Sequence, residues 1–365
     1  NIVKQGGVLG ALKCSVQIDT IGKQAIETGD HLYTYKNKVK IPPLGFVDDV
    51  LDISKCGIDS VINNSYIDSS FQLKKLKLNK DKCQKIHSGV INNFCPELHL
   101  NNEAMNQVNI TKYLGDTISS DGKVDKNIDV RIGKLIGLTA NIMSLLKEIS
   151  MGGHYFTITR LFRQTIFLPV MLLNSETWFN ITQKNIDDLE SMDKNLLRKI
   201  LDAPSKTPVV SLYIELGCIP VRYLIKYKRI MYLHHILTRD DDHLVSRVFS
   251  AQMSDPSKGD WCNQINDDLA EFGLDYLGFS DIRGMKKYKF KKLVKKALIY
   301  TVINYLESIK GSKTTNVKSD NLDIQPYLKS EKLTLKEKKL LFKIRSKIII
   351  NAKNYNGKEN FKISE

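Results

Sequence analysis

The chain has 365 residues, of which 42% are hydrophobic and 26% charged, as is usual for a globular protein of two or three domains. Its longest strongly apolar stretch, residues 166–173, contains Pro169 and is far shorter than the roughly 20 residues that span a bilayer, so we expect no membrane partner. Residues 281–365 hold 22 Lys and Arg against 8 Asp and Glu, whereas the other 280 residues hold 33 against 32. This asymmetry favours a polyanionic partner for the C-terminal region, and the sign of the charge alone does not separate nucleic acid from an anionic membrane surface.

The first 118 residues mix helix and strand patterns. In chain order the predicted elements are a helix that ends near Glu27, strands at 32–36, 44–47 and 50–53, a helix at about 57–76, strands near 84–88 and 109–118, and a turn at 119–122. The strands on either side of Asp48 and Asp49 form a short predicted hairpin with acidic residues at its turn.

Helical periodicity dominates from residue 127 onward. Apolar residues recur at helical spacing from Ile128 to Leu146 and from Ile186 to Ile200, after which Pro204 ends the pattern. Residues 309–325 are predicted to be a polar linker. Further helices are predicted at about 210–216, 220–238, 258–272 and 333–350, the last with an apolar face of Leu340, Leu341, Ile344 and Ile348. The predicted fold class is α+β.

The segment Phe46-Val47-Asp48-Asp49 carries the chemistry. Two carboxylates about 4 Å apart repel by about 4 kcal/mol at an effective dielectric of 20, and a divalent cation relieves that repulsion. Mg²⁺ prefers carboxylate oxygens together with phosphate, as in two-metal phosphoryl transfer. Adjacent aspartates alone are a weak signal, because the acidic runs at 187–188, 240–242 and 267–268 are best interpreted as solvated faces or helix caps.

Four further blocks accompany this segment. Lys4-Gln5-Gly6-Gly7-Val8-Leu9 precedes it, and it is followed by Leu76-Lys77-Leu78-Asn79-Lys80-Asp81-Lys82, Lys112-Tyr113-Leu114-Gly115 and Asn174-Ser175-Glu176-Thr177-Trp178. The succession resembles the endonuclease-type reverse transcriptases of non-LTR retrotransposons. In that family the blocks read approximately Arg-Gln-Gly-x-x-Leu-Ser-Pro, Phe/Tyr-Ala-Asp-Asp, Leu-x-x-Asn-x-x-Lys, Tyr-Leu-Gly and Tyr-Gly-Ser-Glu-Thr-Trp. Each block is weak alone, whereas five in this order are a specific signal.

The resemblance implies an RNA-directed DNA polymerase that copies RNA into DNA by two-metal nucleotidyl transfer. It implies that Asp48 is a metal ligand, with Asp49 beside it as an accessory carboxylate. Lys82 matches a lysine near the leaving pyrophosphate and is a candidate proton donor. Gln5 and Gly6 match the block that lies against the incoming nucleotide and the template.

The resemblance also implies how the chain holds its primer and what it binds. Tyr113, Leu114 and Gly115 match the hairpin that holds the primer end. The implied cofactor is Mg²⁺, with Mn²⁺ as a substitute. The implied partners are an RNA template, a DNA primer and deoxynucleoside triphosphates.

The sequence departs from the family pattern at several points. Gly10-Ala11 stands where Ser-Pro is usual, Val47 replaces the commoner alanine, and Asn174 stands in place of Tyr-Gly. A further palm aspartate and the fingers lie upstream of the Gln-Gly block in this family, and the chain begins at Asn1. We therefore expect a fragment that does not polymerise alone, because removing part of a unit that acts together abolishes most of the rate. Residues 335–351 resemble the family segment that precedes a Cys/His cluster.

The six cysteines indicate no metal centre. None forms a Cys-x-x-Cys pair and no His follows one at zinc-ligand spacing, so we predict neither structural zinc nor a disulfide. Free thiols are typical of a reducing compartment, which favours an intracellular protein, nuclear or cytoplasmic.

The segment from Arg283 to Lys296 has eight basic residues and no acid, with Tyr288 and Phe290 between them. Basic groups neutralise phosphates and aromatic rings stack on unpaired bases, which favours nucleic acid. The alternative is a solvated helix face with two core-facing aromatics. The candidate nucleic-acid-binding residues are Lys286, Lys287, Lys289, Lys291, Lys292, Lys295 and Lys296.

Two other groups are interpreted as structural. His234 and His235 lie within an apolar helical stretch, where a satisfied pair is the better interpretation than a metal site. Trp178 and Phe179 are interpreted as core of the helical region that follows the strands.

The predicted organisation has four parts. Residues 1–118 are the C-terminal part of an incomplete polymerase palm, 119–205 a helical thumb, 206–308 a helical C-terminal region, and 309–365 a basic linker with a terminal helix. The first alternative function is a non-catalytic nucleic-acid-binding remnant of a degenerate or domesticated element. The second is an unrelated helical interaction protein, which a helix in place of the hairpin at 44–53 would favour.

Overall fold

The computed structural model describes residues 10–29, 31–88, 95–100, 103–148, 154–310 and 322–348. Within them the strands are β1 (Thr34–Tyr35), β2 (Val39–Lys40), β3 (Leu44–Phe46), β4 (Asp49–Leu51), β5 (Gln84–Lys85), β6 (His99–Leu100), β7 (Glu103–Ala104), β8 (Asn106–Gln107), β9 (Ile110–Tyr113) and β10 (Asp116–Ser119). Short 3-10 turns lie at Lys80–Lys82 and Ser175–Thr177.

Helices account for most of the described residues. They are α1 (Gly10–Thr28), α2 (Gly57–Leu73), α3 (Asp125–Glu148), α4 (Tyr155–Phe162), α5 (Leu168–Met171), α6 (Gln183–Leu201), α7 (Val209–Leu216), α8 (Val221–Leu237), α9 (Leu244–Ser254), α10 (Trp261–Glu271), α11 (Phe279–Gly284), α12 (Lys287–Ser308), α13 (Pro326–Lys329) and α14 (Leu335–Arg345). None of these helices combines the length and the apolarity needed to cross a bilayer.

The strands pair two by two. Four pairs are antiparallel (β1 with β2, β3 with β4, β6 with β7, β9 with β10), and β5 pairs with β8 in parallel. Short antiparallel pairs together with helices confirm the α+β class. In the described part of the chain these pairs remain separate two-stranded ribbons.

Two compact units are formed, residues Asn1–Asn127 with His235–Gln264 and residues Ile128–His234 with Ile265–Glu365. The four-part organisation inferred from the sequence is defined by function, and it stays a prediction.

Among its described residues, the first unit contains two small apolar clusters. One joins α1 to α2, and its buried members are Ile18, Ile21, Ile67 and Phe71. The other joins the β1–β2 ribbon to α9 and is formed by Val39, Ile41 and Ala251. Lys36, at the turn of that ribbon, reinforces the second junction, because its ammonium group lies 2.7 Å from an Asp260 carboxylate oxygen.

The second unit is built from helices with conventional ends. In α6 the Thr182 hydroxyl accepts a hydrogen bond from the backbone N–H of Asn185 (3.2 Å), which satisfies a free donor of the first turn. Asp202 ends the helix in the left-handed conformation. Leu189, Leu196 and Leu197 are fully buried on one side of α6, so the predicted apolar stripe is confirmed.

An ion pair lies inside this second core. The Arg163 guanidinium donates to both carboxylate oxygens of Asp193 (2.7 and 2.8 Å) and to the Ile219 carbonyl oxygen (2.9 Å). Arg163 opens a π-helical turn, Arg163–Phe167, between α4 and α5. Pro169, the second residue of α5, has no N–H to continue the helical ladder, which accounts for the altered hydrogen bonding of the preceding turn.

Two predictions of local structure are wrong. Residues 109–118 form a hairpin, β9–β10, because Leu114 and Gly115 both adopt positive φ (48° and 83°), as a two-residue turn of mirror-image type requires. On α14, Leu340 and Ile344 are half exposed, and the buried residues are Lys338 and Phe342. The helix is therefore rotated relative to the predicted apolar face.

Several elements differ in extent from the prediction. The strand expected at 32–36 is a two-residue strand that pairs with β2. The helices without a counterpart in the predicted elements are α4, α5, α9, α11, α12 and α13. Of the predicted linker at 309–325, residues 311–321 lie outside the described residues.

Candidate functional site

The acidic hairpin predicted at residues 44–53 is confirmed, with one shift. Phe46 and Asp49 form the last cross-strand pair, so Val47 and Asp48 make the turn and Asp49 begins β4. Two-residue turns are favoured in hairpins because their geometry matches the twist of the strands. Both aspartates are exposed. The hairpin therefore presents two neighbouring carboxylates at its tip, and the helical alternative for this segment does not occur.

The backbone at the tip is strained. Val47 has φ of 58°, a left-handed conformation that is unusual for a β-branched residue and costs on the order of 1–2 kcal/mol. Strain of this kind persists only where the surroundings impose it, and it is concentrated at functional sites.

The acidic hairpin packs closely against α1. A Cβ atom on Gly45 would lie 2.1 Å from the Cγ2 atom of Ile18, a distance that no real contact allows. Gly45 thus permits the strand and the helix to approach closely. Ile18 is itself buried in the cluster that joins α1 to α2, and Val50 of β4 packs on the same cluster. Leu76 and Leu78 pack there too, so the Leu-x-x-Asn block shares one small core with α1 and β4.

Hydrogen bonds anchor the end of β4 to α2. The Ser54 hydroxyl donates to the Asp52 carboxylate (2.8 Å), and the buried Asn63 amide donates to the Ser54 hydroxyl (3.0 Å). Burial raises the pKa of the Asp52 carboxyl. Asp52, Ser54 and Asn63 are not among the site residues that the sequence predicts. The Asp-x-Ser spacing directly after the strand is the one signal that points to them.

The Tyr-Leu-Gly block lies against the base of the acidic hairpin. The Tyr113 hydroxyl is 3.5 Å from the carbonyl oxygen of Leu44, a long contact. Burial and the charge of Asp49 raise the pKa of Tyr113. Two blocks that are about 65 residues apart in the chain are therefore neighbours in the fold.

Lys82 lies on a segment that is hydrogen-bonded to the β9–β10 ribbon, which carries the Tyr-Leu-Gly block. The 3-10 turn Lys80–Lys82 is capped by Asn79, whose side-chain oxygen accepts from the backbone N–H of Asp81 (3.1 Å). The adjacent Gln84 accepts a hydrogen bond from the Thr111 hydroxyl on β9 (2.6 Å). Lys82 is exposed, and within the described residues no contact joins it to either aspartate.

The chemistry of the tip fits a cation that is shared with a substrate. Asp48 and Asp49 supply hard oxygen ligands, and Mg²⁺ is commonly bound through one or two carboxylates together with water and substrate phosphates. Among the described residues, no group of three or more His, Cys, Asp or Glu side chains could enclose a metal ion. Gln5 and Gly6 lie outside the described residues.

The basic segment forms α12 and the turn before it. All seven candidate lysines are exposed, whereas Phe290 is fully buried and stacks on the His234 ring with centroids 5.0 Å apart. Tyr288 is 65% exposed. The two aromatic residues of this segment therefore differ in burial, with Phe290 in the core and Tyr288 exposed to solvent.

Of the two residue pairs interpreted as structural, one member of each is buried and the other is exposed. His234 is buried and its Nε2 lies 2.8 Å from the Met285 carbonyl oxygen, so the structural interpretation holds for it. His235 is exposed. Trp178 is buried with the Arg131 guanidinium over its ring, whereas Phe179 is 45% exposed and is not a core residue.

Comparison of the chain with models of known protein families, with curated proteins and with solved structures finds no match in any of the three. The resemblance to reverse transcriptases therefore rests on the residues and motifs themselves.

Proposed function

We propose that this chain is part of an RNA-directed DNA polymerase of the non-LTR retrotransposon class, with the β3–β4 hairpin at its catalytic centre and the first unit as part of its palm. The observation that carries the proposal is the exposed pair of carboxylates at the tip of a two-stranded ribbon, with Tyr113 packed against the base of that ribbon. Sequence order alone does not require these blocks to meet in space, and their proximity supports a common site.

Each block has a role in this proposal. Asp48 and Asp49 would hold Mg²⁺, and the cation would supply stabilisation of the negative charge that develops during phosphoryl transfer. The Tyr113–Gly115 turn positions the primer end beside the hairpin. Lys82 donates a proton to the departing pyrophosphate from a segment that is hydrogen-bonded to the β9–β10 ribbon through Gln84 and Thr111.

The test compares Asp48→Asn with a matched pair of acids elsewhere. Primer extension on an RNA template is measured with protein expressed from the complete open reading frame that encodes this chain. We expect Asp48→Asn to lower the extension rate at least about a hundredfold, because several kcal/mol of transition-state charge stabilisation are lost. The control is the double variant Asp241→Asn with Asp242→Asn, which removes an exposed acidic pair in a turn and is expected to extend normally.

A second measurement does not depend on turnover. Binding of Mn²⁺ with a deoxynucleoside triphosphate is followed by electron paramagnetic resonance in the wild type and in the Asp48→Asn/Asp49→Asn variant. We expect the variant to lose the bound signal. Equal Mn²⁺ binding and equal extension rates in variant and wild type would contradict the proposed catalytic role.

The alternative is a nucleic-acid-binding protein without polymerase activity. The exposed lysines of α12 favour it, because the described residues place no carboxylate in an ion pair with any of the seven. Extension that is absent from the complete open reading frame, together with tight and salt-dependent binding of RNA or DNA, would decide for this alternative.

A further inference from the structure

Four exposed residues of α12 form a single row along the helix. Tyr288, Lys292, Lys296 and Tyr300 are spaced four residues apart, and residues at this spacing are neighbours on a helix surface, about 5–6 Å apart. The row has a tyrosine at each end and two lysines between them. We call it the tyrosine–lysine ridge.

The ridge lies opposite the face that the helix buries. The buried side chains of α12 follow the same four-residue spacing, and they are Phe290, Val294, Leu298, Val302 and Leu306. Each ridge residue precedes a buried one by two positions, about 200° around the helix, so the two rows stay on opposite sides along the length of α12. Packing of the core thus requires the ridge to face solvent.

The two tyrosines of the ridge are largely exposed to solvent. Tyr288 is 65% exposed and Tyr300 is 68% exposed, whereas Tyr213 of the same unit is fully buried. In the described part of the chain, Lys292 and Lys296 have no carboxylate partner. Lys291 and Lys295 form the adjacent row and are also exposed. Neither the core nor an ion-pair network accounts for the composition of this face.

The arrangement matches a single polynucleotide strand. Tyr288 and Tyr300 are separated by about 18 Å along the helix axis, which is roughly five nucleotides of a stacked strand. Aromatic side chains stack on bases that are unpaired, and lysines between them neutralise the connecting phosphates. A duplex keeps its bases stacked inside, so it would use the lysines but not the rings.

We propose that the tyrosine–lysine ridge binds single-stranded nucleic acid, with Tyr288 and Tyr300 as stacking platforms. That the partner is a nucleic acid rests on the proposed function. The ridge adds that the bound nucleic acid is single-stranded and that Tyr288 and Tyr300 select it over a duplex. Its site is distinct from the acidic hairpin, so each can fail without the other.

The experiment measures affinity by fluorescence anisotropy with the 365-residue chain. The probes are twelve-nucleotide oligo(U), oligo(dT) and a duplex of the same length. We expect Tyr288→Ala and Tyr300→Ala each to weaken single-strand binding by about fivefold or more, and to leave duplex binding within twofold. The Phe variants at both positions keep the ring and are expected to bind as the wild type does.

Two controls separate stacking from charge and from unfolding. Tyr276→Ala removes a tyrosine that is equally exposed (68%) outside the ridge, and no change in binding is expected. Lys292→Gln with Lys296→Gln is expected to reduce the slope of log affinity against log salt by about 1.4, since each phosphate contact on a single strand contributes about 0.7. The tyrosine variants should leave that slope unchanged.

The outcomes are distinguishable from those of the polymerase test. Preference for either oligo(U) or oligo(dT) supports the proposal and identifies the strand as RNA or DNA. Wild-type affinity of both Tyr→Ala variants, or equal losses for single strand and duplex, would overturn it. Asp48→Asn is expected to leave this binding unaffected, so a failure at the hairpin does not appear as a failure at the ridge.

Discussion

Gly217 and Gly273 have similar backbone conformations, but a side chain added at each would meet very different surroundings. Both end a helix or turn with positive φ, 58° and 62°. A Cβ atom on Gly217 would lie 2.3 to 2.7 Å from three backbone atoms of Asp323, whereas one on Gly273 would meet nothing within 4 Å. The two positions therefore separate the cost of the backbone conformation from the cost of a collision.

We expect Gly273→Ala to lower the free energy of unfolding by about 1–2 kcal/mol, the cost of a left-handed conformation for an L-residue. Gly217→Ala should cost at least about 2 kcal/mol more, because the Asp323 backbone has to move. Urea unfolding of both variants measures the difference. Equal losses for the two would mean that the segment around Asp323 can shift without cost.

At the scale of elements, the contact between α1 and β3 decides whether the acidic hairpin keeps its place. Gly45→Ala is expected to destabilise the protein by about 1–3 kcal/mol, because the added methyl group overpacks against Ile18. Ile18→Ala alone should cost about 2–5 kcal/mol through the cavity that it leaves.

The double variant Gly45→Ala with Ile18→Ala tests that contact directly. Removing the Ile18 side-chain atoms makes room for the new Cβ, so the double variant should lose at least about 0.5 kcal/mol less than the sum of the single losses. Denaturant unfolding of the four proteins in the cycle gives this coupling energy. Strict additivity would show that the two residues do not touch.

The segment before α13 is attached to α4 through Asp323. Lys329, the backbone N–H of Ile324 and Arg160 together lower the pKa of Asp323 to about 2. An aspartate in the unfolded chain has a pKa near 3.9, so the stabilising contribution is complete above about pH 4 and is lost as pH falls toward 2.

Asp323→Asn should therefore lower the Tm at pH 7 and leave it unchanged near pH 2. The Asp323 carboxylate is half exposed, and such ion pairs contribute only about 0–1 kcal/mol, so we expect a decrease of at most a few degrees. Thermal unfolding between pH 2 and 7 measures it, with the exposed Asp275→Asn as control. A Tm difference that is the same at every pH would exclude the carboxylate charge as its cause.

For the molecule as a whole, the excess positive charge is concentrated in the last 85 residues. Reversal of Lys291, Lys292, Lys295 and Lys296 to Glu should weaken nucleic-acid binding and flatten its salt dependence, because up to four phosphate contacts are lost. The control reverses four exposed lysines elsewhere in the second unit, namely Lys134, Lys147, Lys184 and Lys199. Both variants have the same net charge, so equal losses of affinity would indicate a long-range effect and no local site.

Much of the local structure follows from sequence patterns. The acidic hairpin, α2, α6 and the turn at Ser119–Gly122 were predictable, because alternation, helical spacing and turn residues act over a few positions. The candidate acids Asp48 and Asp49 could be selected by their neighbours in the chain. The contact of Tyr113 with Leu44 could not, since sequence order carries no distances.

Sequence by itself determined the α+β class, the positions of most helices and the concentration of positive charge in the last 85 residues. These properties depend on short-range periodicity and on composition. Tertiary structure alone decided which side chains of a helix are buried. On α12, Phe290 is buried whereas Tyr288 is exposed, and on α14 the lysine Lys338 is buried whereas the leucine Leu340 is half exposed. Burial depends on which surfaces distant segments bring together. The close approach of Ile18 to Gly45 is a contact of that kind, and it sets the position of the carboxylates on which the proposed chemistry depends.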